Sequence, residues 1–181
     1  MKGIAAEMKF RYCPRCGQPG FRAFRKNSLR CRACDFEYFI NAAAAVAVLI
    51  CDAQGRLLLT RRKHDPAAGM LDLPGGFADI AESAEAAAVR EIKEELNLDI
   101  CDLRYFCSSP NRYHYADVNY ATLDLAYTAR VKNFRKIRVW DDISGYSFHA
   151  LDQIPPADIA FESIRYFVGE FIKKKKNTAP D

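Results

Sequence analysis

Residues 76–98 read GFADIAESAEAAAVREIKEELNL, and this stretch predicts one helix over residues 82–97. Alanine and glutamate, which dominate its middle, are both strong helix formers. Ser83 is placed to cap the amino terminus, because its hydroxyl can accept a hydrogen bond from a free backbone N–H. Asn97 tolerates the left-handed conformation that ends many helices, so it marks the carboxyl end.

Three glutamates of this helix, Glu91, Glu94 and Glu95, are spaced i, i+3 and i+4 and therefore share one face. Their like charges repel and lower helix stability, but clustered carboxylate oxygens are the ligands that a hard divalent cation prefers. The preceding Leu-Pro-Gly-Gly segment, residues 73–76, can bring its backbone close to a ligand, because glycine has no Cβ. The alternative is a solvated helix face, since runs of charge usually mark exposed surface.

The complete pattern favours the first interpretation, because it resembles the Nudix box, G-x5-E-x7-R-E-U-x-E-E-x-G-U, in which U is aliphatic. The matching positions are Gly76, Glu82, Arg90, Glu91, Ile92, Glu94, Glu95 and Leu98. Asn97 stands where the family has glycine, and asparagine can adopt the same backbone conformation. The resemblance implies the Nudix fold, an α+β architecture with a mixed β-sheet flanked by helices.

The same resemblance implies a metal-dependent pyrophosphohydrolase, which cleaves the diphosphate of a nucleoside diphosphate linked to another moiety. The implied ligands of a catalytic Mg²⁺ or Mn²⁺ are Glu91, Glu94 and Glu95, and one of the three is the expected base. Gly75 and Gly76 are assigned to substrate binding, and the Gly75 carbonyl is a candidate to complete the coordination of the cation. Arg90 and Glu82 are expected to orient and brace the helix. The candidates for a further acidic ligand are Asp141 and Asp142.

A second motif lies near the amino terminus, where Cys13-Pro-Arg-Cys16 and Cys31-Arg-Ala-Cys34 are separated by 14 residues. This spacing is typical of a zinc ribbon. Two C-x-x-C turns brought together form a tetrahedral four-sulfur site, and four thiolates leave no open position for substrate, so the Zn²⁺ is expected to be structural. The alternatives are two disulfides or four unrelated thiols, and a reducing compartment and the paired spacing argue against them.

The domain organisation follows from a change of composition near Asn41. We expect a zinc ribbon over 1–40, a Nudix hydrolase domain over 41–173 and a basic, disordered tail over 174–181. Strands are expected at 42–51, 56–61, 98–108, 121–131 and 145–151, and a second amphipathic helix at 159–173.

A zinc ribbon followed by a Nudix domain resembles the NADH pyrophosphatase branch of the superfamily. That branch carries a downstream S-Q-P-W-P-F-P-x-S signature, of which only Ser108 and Pro110 are present here. NADH, ADP-ribose and other nucleoside diphosphate derivatives therefore stay open as substrates. We expect 108–115 to be a substrate-binding loop, in which Tyr113 and Tyr115 stack on a base or ribose and Arg112 contacts phosphate.

Charge and hydropathy limit the classes of partner that the chain is expected to have. The net charge is +4, but residues 1–40 hold nine basic and three acidic residues, so the remainder carries −2, which argues against one uniform nucleic-acid-binding surface. The longest apolar run, 42–51, is shorter than the roughly 20 residues of a membrane span, and no signal peptide is visible, so a cytoplasmic location is expected.

The expected partner is a small-molecule nucleotide, and a homodimer is left open. The rival function is a nucleotide-sensing or nucleic-acid-binding module that uses the basic ribbon; it is not favoured, because the box has lost no carboxylate.

Overall fold

The structure is a computed structural model that describes residues 8–140 and 142–178. The chain divides into two compact units. One comprises the residues up to Ala43 together with Arg112–Ala121, and the other comprises Ala44–Asn111 and the residues from Thr122 onward.

The first unit contains the paired cysteines. Its three strands, β1 (Phe21–Arg25), β2 (Ser28–Cys31) and β3 (Glu37–Phe39), form an antiparallel sheet in the order β1-β2-β3. Four side chains are buried in its core: Cys13, Phe21, Leu29 and Cys31. A core this small does not hold so short a segment together, so a bound metal is the expected source of folding free energy.

The second unit contains the helices α1 (Ala84–Leu96) and α2 (Glu162–Thr178), with a short 3-10 turn at Pro156–Asp158 before α2. The remaining strands lie wholly or mainly in this unit: β4 (Ala43–Ile50), β5 (Leu57–Arg62), β6 (Leu71–Asp72), β7 (Ile100–Tyr115), β8 (Val118–Val131) and β9 (Ile143–His149). They form two three-stranded sheets, in the orders β4-β8-β7 and β6-β5-β9. The hairpin end of β7 and β8, Arg112–Ala121, is the part grouped with the first unit.

Strand β4 is buried on both faces, and its side chains alternate between two apolar cores. Val46, Val48 and Ile50 pack in the core that holds Ala87, Ala88 and Ile92 of α1. Ala47 and Leu49 pack in the core that holds Phe167 and Val168 of α2. The sheets therefore lie between the two helices, and the predicted α+β architecture is confirmed. No helix of the described residues is both long and apolar enough to cross a membrane.

Helix α1 begins and ends within two residues of the predicted limits. Ser83 is its N-cap and accepts from the Ala86 N–H at 3.1 Å, and Asn97 is its C-cap with φ 52° and ψ 35°. Both cap predictions are therefore confirmed.

The expected loop at 108–115 is wrong, because these residues continue β7 to Tyr115 and pair in a hairpin with β8. Ala116 and Asp117 both have positive φ, as a two-residue hairpin turn requires. The proline and polar residues that suggested a loop are tolerated because β7 lies at the edge of its sheet.

The expected disordered tail is also wrong over 174–178, where α2 continues to Thr178. Lysine is a good helix former, and lysines in the last turn interact favourably with the carboxyl end of the helix dipole. The rest of the expected tail, 179–181, lies outside the described residues.

Candidate functional site

The candidate site is built on α1, which buries one face and presents its glutamates on another. Ala87, Ala88, Ile92 and Leu96 are fully buried and fix the orientation of the helix. Glu94 is half-exposed, whereas Glu95 is only 6% exposed. Glu94 and Glu95 thus lie in different environments although they are adjacent in sequence.

Arg90 connects four acidic or carbonyl groups around the amino-terminal half of α1. Its Nε and Nη2 donate to the two oxygens of Glu82 at 2.9 and 2.8 Å. Its Nη1 donates to Glu91 at 2.8 Å and to Glu94 at 2.9 Å, and Nη2 also reaches the Phe77 carbonyl at 3.0 Å. The guanidinium therefore offsets the repulsion that the sequence predicts among the glutamates, and it lowers the pKa of Glu82 to about 2.

Glu95 is held by a different partner, the segment of residues 73–76, which we call the glycine loop. Its Oε2 accepts from the Gly75 N–H at 3.0 Å. Burial raises the pKa of Glu95 well above its ordinary value; the Gly75 hydrogen bond lowers it, and the nearby carboxylates of Glu91, Asp72 and Asp142 raise it further. A cation bound among these groups would offset that accumulated negative charge.

The glycine loop runs along β4 at close range. Backbone N–H groups of Val46 and Val48 donate to the carbonyls of Gly76 and Pro74 at 2.8 and 2.9 Å. Gly75 has φ +145°, and a Cβ there would lie 2.1 Å from the Val46 carbonyl oxygen. Gly75 is therefore required by the close approach of the β4 backbone and by its own positive φ.

Gly76 faces the helix instead. A Cβ on Gly76 would lie 2.6 Å from Oε1 of Glu91, so only glycine leaves room for this carboxylate.

The glutamates supply the chemistry of a divalent-cation site, with hard oxygen donors on a rigid helix. Their carboxylates are not gathered as tightly as the cysteines, because Arg90 holds those of Glu91 and Glu94 and the Gly75 amide holds that of Glu95. Asp142 is exposed just before β9 and is close enough to act on the pKa of Glu95. Asp141, the other candidate for an acidic ligand, lies outside the described residues.

The four paired cysteines form the one group of the described residues whose ligand atoms lie within 4.8 Å of one another. The Sγ atoms of Cys13 and Cys34 are 3.8 Å apart, and those of Cys16 and Cys31 are 3.7 Å apart. A tetrahedral ion with bonds of about 2.3 Å places its sulfurs about 3.8 Å apart, so the cluster fits a metal ion.

The expected substrate-binding residues of the hairpin belong to a different unit from α1. Arg112, Tyr113 and Tyr115 lie in the segment Arg112–Ala121, which is grouped with the ribbon. Tyr115 is exposed and Tyr113 is half-buried. His114 and Asn119 join the two strands by a 2.8 Å side-chain hydrogen bond.

Sequence reasoning missed two contributors to the site. The Phe77 carbonyl accepts from Arg90, and the Asp79 N–H donates to Glu82 at 2.9 Å. Both contacts are made by backbone groups, and the Asp79 carboxylate adds only a 3.8 Å ion pair with Arg90 Nε, so the sequence carries little signal for either residue. In the segment before β9 the sequence singles out only Asp141 and Asp142; Trp140, the sole tryptophan of the chain, belongs to no motif that assigns it a role.

Comparison with known proteins supports the assignment made from the box. The model of the NUDIX domain matches residues 41–168. The chain is 23% identical over 178 residues to the NAD-capped RNA hydrolase NudC of Pseudomonas fluorescens, which covers 96% of this chain and 62% of that protein. The chain thus spans less than two thirds of this relative.

Solved structures show the same fold. A NUDIX hydrolase from Nitrosomonas europaea superposes with a TM-score of 0.71 at 19% identity, covering 94% of this chain and 95% of that one. The NUDIX domain of Shewanella oneidensis NrtR, solved with ADP ribose, gives a TM-score of 0.60 at 22% identity, covering 77% of this chain and 91% of that one. With a family model that covers most of its length, and with the box residues arranged on α1, the chain belongs to the NUDIX domain family.

Proposed function

We propose that the chain is a metal-dependent pyrophosphohydrolase that cleaves the diphosphate of a nucleoside diphosphate linked to another moiety, such as NADH or ADP-ribose. The observation that carries the proposal is the set of box carboxylates on α1, all retained, with Glu95 buried against the glycine loop. The relatives support the substrate class, because one is named as a NAD-capped RNA hydrolase and another was solved with ADP ribose.

Glu91, Glu94 and Glu95 would hold Mg²⁺ or Mn²⁺, and the Gly75 carbonyl is the fourth candidate ligand. The cation would neutralise charge on the diphosphate and lower the pKa of water. The oxygen of the attacking water forms a bond to one phosphorus, and the bridging P–O bond breaks with its electron pair on the leaving phosphate. One carboxylate of the set accepts the proton of that water, and Arg90 and Glu82 brace the helix during the reaction.

The substrate's remaining groups are assigned to the hairpin. Tyr113 and Tyr115, alternate residues of β7, would stack on a base or ribose. The expected contact of Arg112 with phosphate depended on a turn at residues 110–111; β7 is extended there, so Arg112 lies on the opposite face of the hairpin from the two tyrosines. Tyr115 offers the more exposed ring of the two.

A hydrolysis screen with Mg²⁺ tests the proposal, over NADH, NAD⁺, ADP-ribose, nucleotide sugars and nucleoside triphosphates. We expect diphosphate-linked compounds to be cleaved faster than triphosphates. Glu94→Gln and Glu95→Gln should each lower kcat by about two to four orders of magnitude, the range of a lost catalytic carboxylate. Glu170→Gln, a partly exposed glutamate of α2 that pairs with Lys173, is the matched control and should keep the parent rate. Parent-like turnover of both box variants on every substrate would reject the metal-site assignment.

The four-cysteine cluster is proposed to hold a structural Zn²⁺. Sulfur–sulfur distances of 3.7 and 3.8 Å support this, and the four thiolates fill a tetrahedral coordination shell. A cytoplasmic location stays a prediction, consistent with seven cysteines of which none forms a disulfide.

A second candidate function is binding of single-stranded RNA. It is favoured by one face of the β1-β2-β3 sheet, which carries Arg22, Phe24 and Arg30 and which we call the ribbon face. Arg22 and Arg30 lie directly opposite each other in the β1–β2 pairing, where like charges are destabilising. Arg22 makes no ion pair with any residue that the structure describes. The ring of Phe24, 48% exposed, lies under the Arg30 guanidinium at 4.6 Å.

The arginines of this face are not placed to offset the negative charge of the cysteine thiolates. Arg30 precedes Cys31 in β2, so the two side chains point to opposite faces of the sheet. Opposed arginines beside an exposed aromatic ring are suited to phosphates and unstacked bases.

A further inference from the structure

The carboxyl end of α1 borders a second feature of the same unit, an open cleft of about 310 Å³. We name it the Trp140 cleft; its lining residues are Lys93, Glu94, Asn97, Arg138 and Trp140. Its volume is at the lower end of the range for small-ligand sites, which suits one planar ring and a neighbouring group better than a whole dinucleotide. Because Glu94 is a box carboxylate, the cleft adjoins the proposed cation site.

The loop that carries Trp140 is attached to the end of the helix. The backbone N–H groups of Arg138 and Trp140 donate to the carbonyls of Leu96 and Glu95 at 3.1 and 3.0 Å. These are terminal helix carbonyls, which have no partner within the helix. The position of Trp140 is therefore set by the same helix that positions the glutamates.

Asn97 adds a third attachment. Its backbone takes the left-handed conformation that glycine provides in the family pattern, and its side-chain Nδ2 donates to the Lys136 carbonyl at 3.1 Å. Glycine could supply the conformation but not this hydrogen bond. The single departure of the chain from the box thus fastens the loop beside the cleft.

The chemistry of the cleft is that of a nucleotide site. The indole of Trp140 is 59% exposed, although burying such a ring is favourable. Arg138 is exposed and makes no ion pair with the described residues, whereas Lys93 is paired with Asp99 at 2.8 Å. An unpaired guanidinium beside an exposed aromatic ring suits a phosphate attached to a planar base.

We propose that the Trp140 cleft binds one nucleotide half of the substrate, with its base stacked on Trp140 and its phosphate at Arg138. Asn97 acts as a positioning residue for the loop. The assignment of this half to a substrate rests on the proposed pyrophosphohydrolase function.

The cleft can be tested without catalysis, because Trp140 is the sole tryptophan and its fluorescence reports this site alone. In metal-free buffer with EDTA, titration with AMP should quench the parent's emission saturably, and ribose 5-phosphate, which lacks the base, should not. N-acetyltryptophanamide gives the unsaturable baseline. Arg138→Ala should shift the AMP titration to higher concentration. AMP quenching no greater than the baseline would overturn the proposal.

Kinetics with Mg²⁺ and ADP-ribose provide the second measurement. Trp140→Ala should raise KM about tenfold, the loss expected for one base–aromatic stack, and change kcat far less, whereas Trp140→Phe should keep most of the affinity. Asn97→Gly restores the family residue, keeps the backbone conformation and should still raise KM. Tyr166→Ala, an exposed aromatic of α2, is the control.

An active parent whose KM is unchanged by Trp140→Ala would overturn the cleft assignment alone. An inactive parent that still binds AMP would instead reject the proposed hydrolysis and leave the nucleotide site in place.

Discussion

Gly76 lies so close to α1 that a single methyl group would disturb the site. The three nearest atoms to a Cβ at this position all belong to the Glu91 carboxyl group, the closest at 2.6 Å. The carboxyl is the far end of a flexible side chain, so it can move away at little cost to folding. Movement of a proposed metal ligand, however, changes the site directly.

Gly76→Ala should therefore lower kcat by about tenfold or more and leave the melting temperature nearly unchanged, since a metal ligand misplaced by about an ångström is costly for turnover. Steady-state kinetics and thermal unfolding on the same preparation measure the two effects. Gly145→Ala is the matched control, because a Cβ there meets nothing within 4 Å. An active Gly76→Ala enzyme with parent kinetics would show that the position of Glu91 is not critical.

Residue spacing predicts part of the arrangement around Arg90, and the rest depends on the path of a loop. The pairing of Arg90 with Glu94 follows from their i, i+4 positions on one helix. The bonds from Arg90 to Glu82 and to the Phe77 carbonyl do not, because residues 77–82 have no periodic pattern from which their path could be predicted. The bracing roles of Arg90 and Glu82 are thus compatible with the geometry and stay proposals.

At the scale of elements, cap chemistry made α1 predictable and turn chemistry made the β7–β8 hairpin hard to predict. Ser83 and Asn97 are local signals that act on the helix they bound. The hairpin instead turns at Ala116-Asp117, where alanine is an uncommon residue at positive φ. Its strand also contains Pro110, which is acceptable only because tertiary pairing leaves β7 at a sheet edge.

The ribbon has few buried side chains, so it should depend on its metal. Cys31→Ser should reduce bound zinc from about one ion per chain to almost none, because a four-cysteine site loses one ligand. Limited proteolysis should then cleave within residues 8–43, and hydrolysis should fall less than in Glu94→Gln. Elemental analysis and mass spectrometry of the fragments provide the readout.

Cys101→Ser is the control for that experiment, since Cys101 is an exposed thiol outside the cluster. Zinc bound at the parent level by Cys31→Ser, or a parent that carries no zinc, would contradict the four-cysteine assignment.

At the scale of the whole molecule, the charge is divided along the chain as the sequence indicates, with +6 in residues 1–40 and −2 in the rest. Composition alone could not separate arginines that offset thiolates from arginines that face solvent. The strand register makes that separation, because Arg22 and Arg30 oppose each other on the face that Cys31 does not occupy.

The ribbon face should bind single-stranded RNA in a salt-dependent manner. Each phosphate contact on a single strand contributes about 0.7 to the slope of log affinity against log salt, so the double variant Arg22→Ala/Arg30→Ala should lower that slope by about 1.4. Phe24→Ala should weaken binding with little change of slope, because stacking on a base involves no counterion release. Fluorescence anisotropy of a labelled RNA of about twelve nucleotides, within the usual span of single-strand sites, measures both quantities over a range of salt.

Arg104→Ala, an exposed arginine of β7, removes the same kind of charge outside the ribbon and should have a smaller effect per residue. If Arg104→Ala and the ribbon variants weaken binding equally per charge, the RNA is attracted by net charge alone and the ribbon face is not its site.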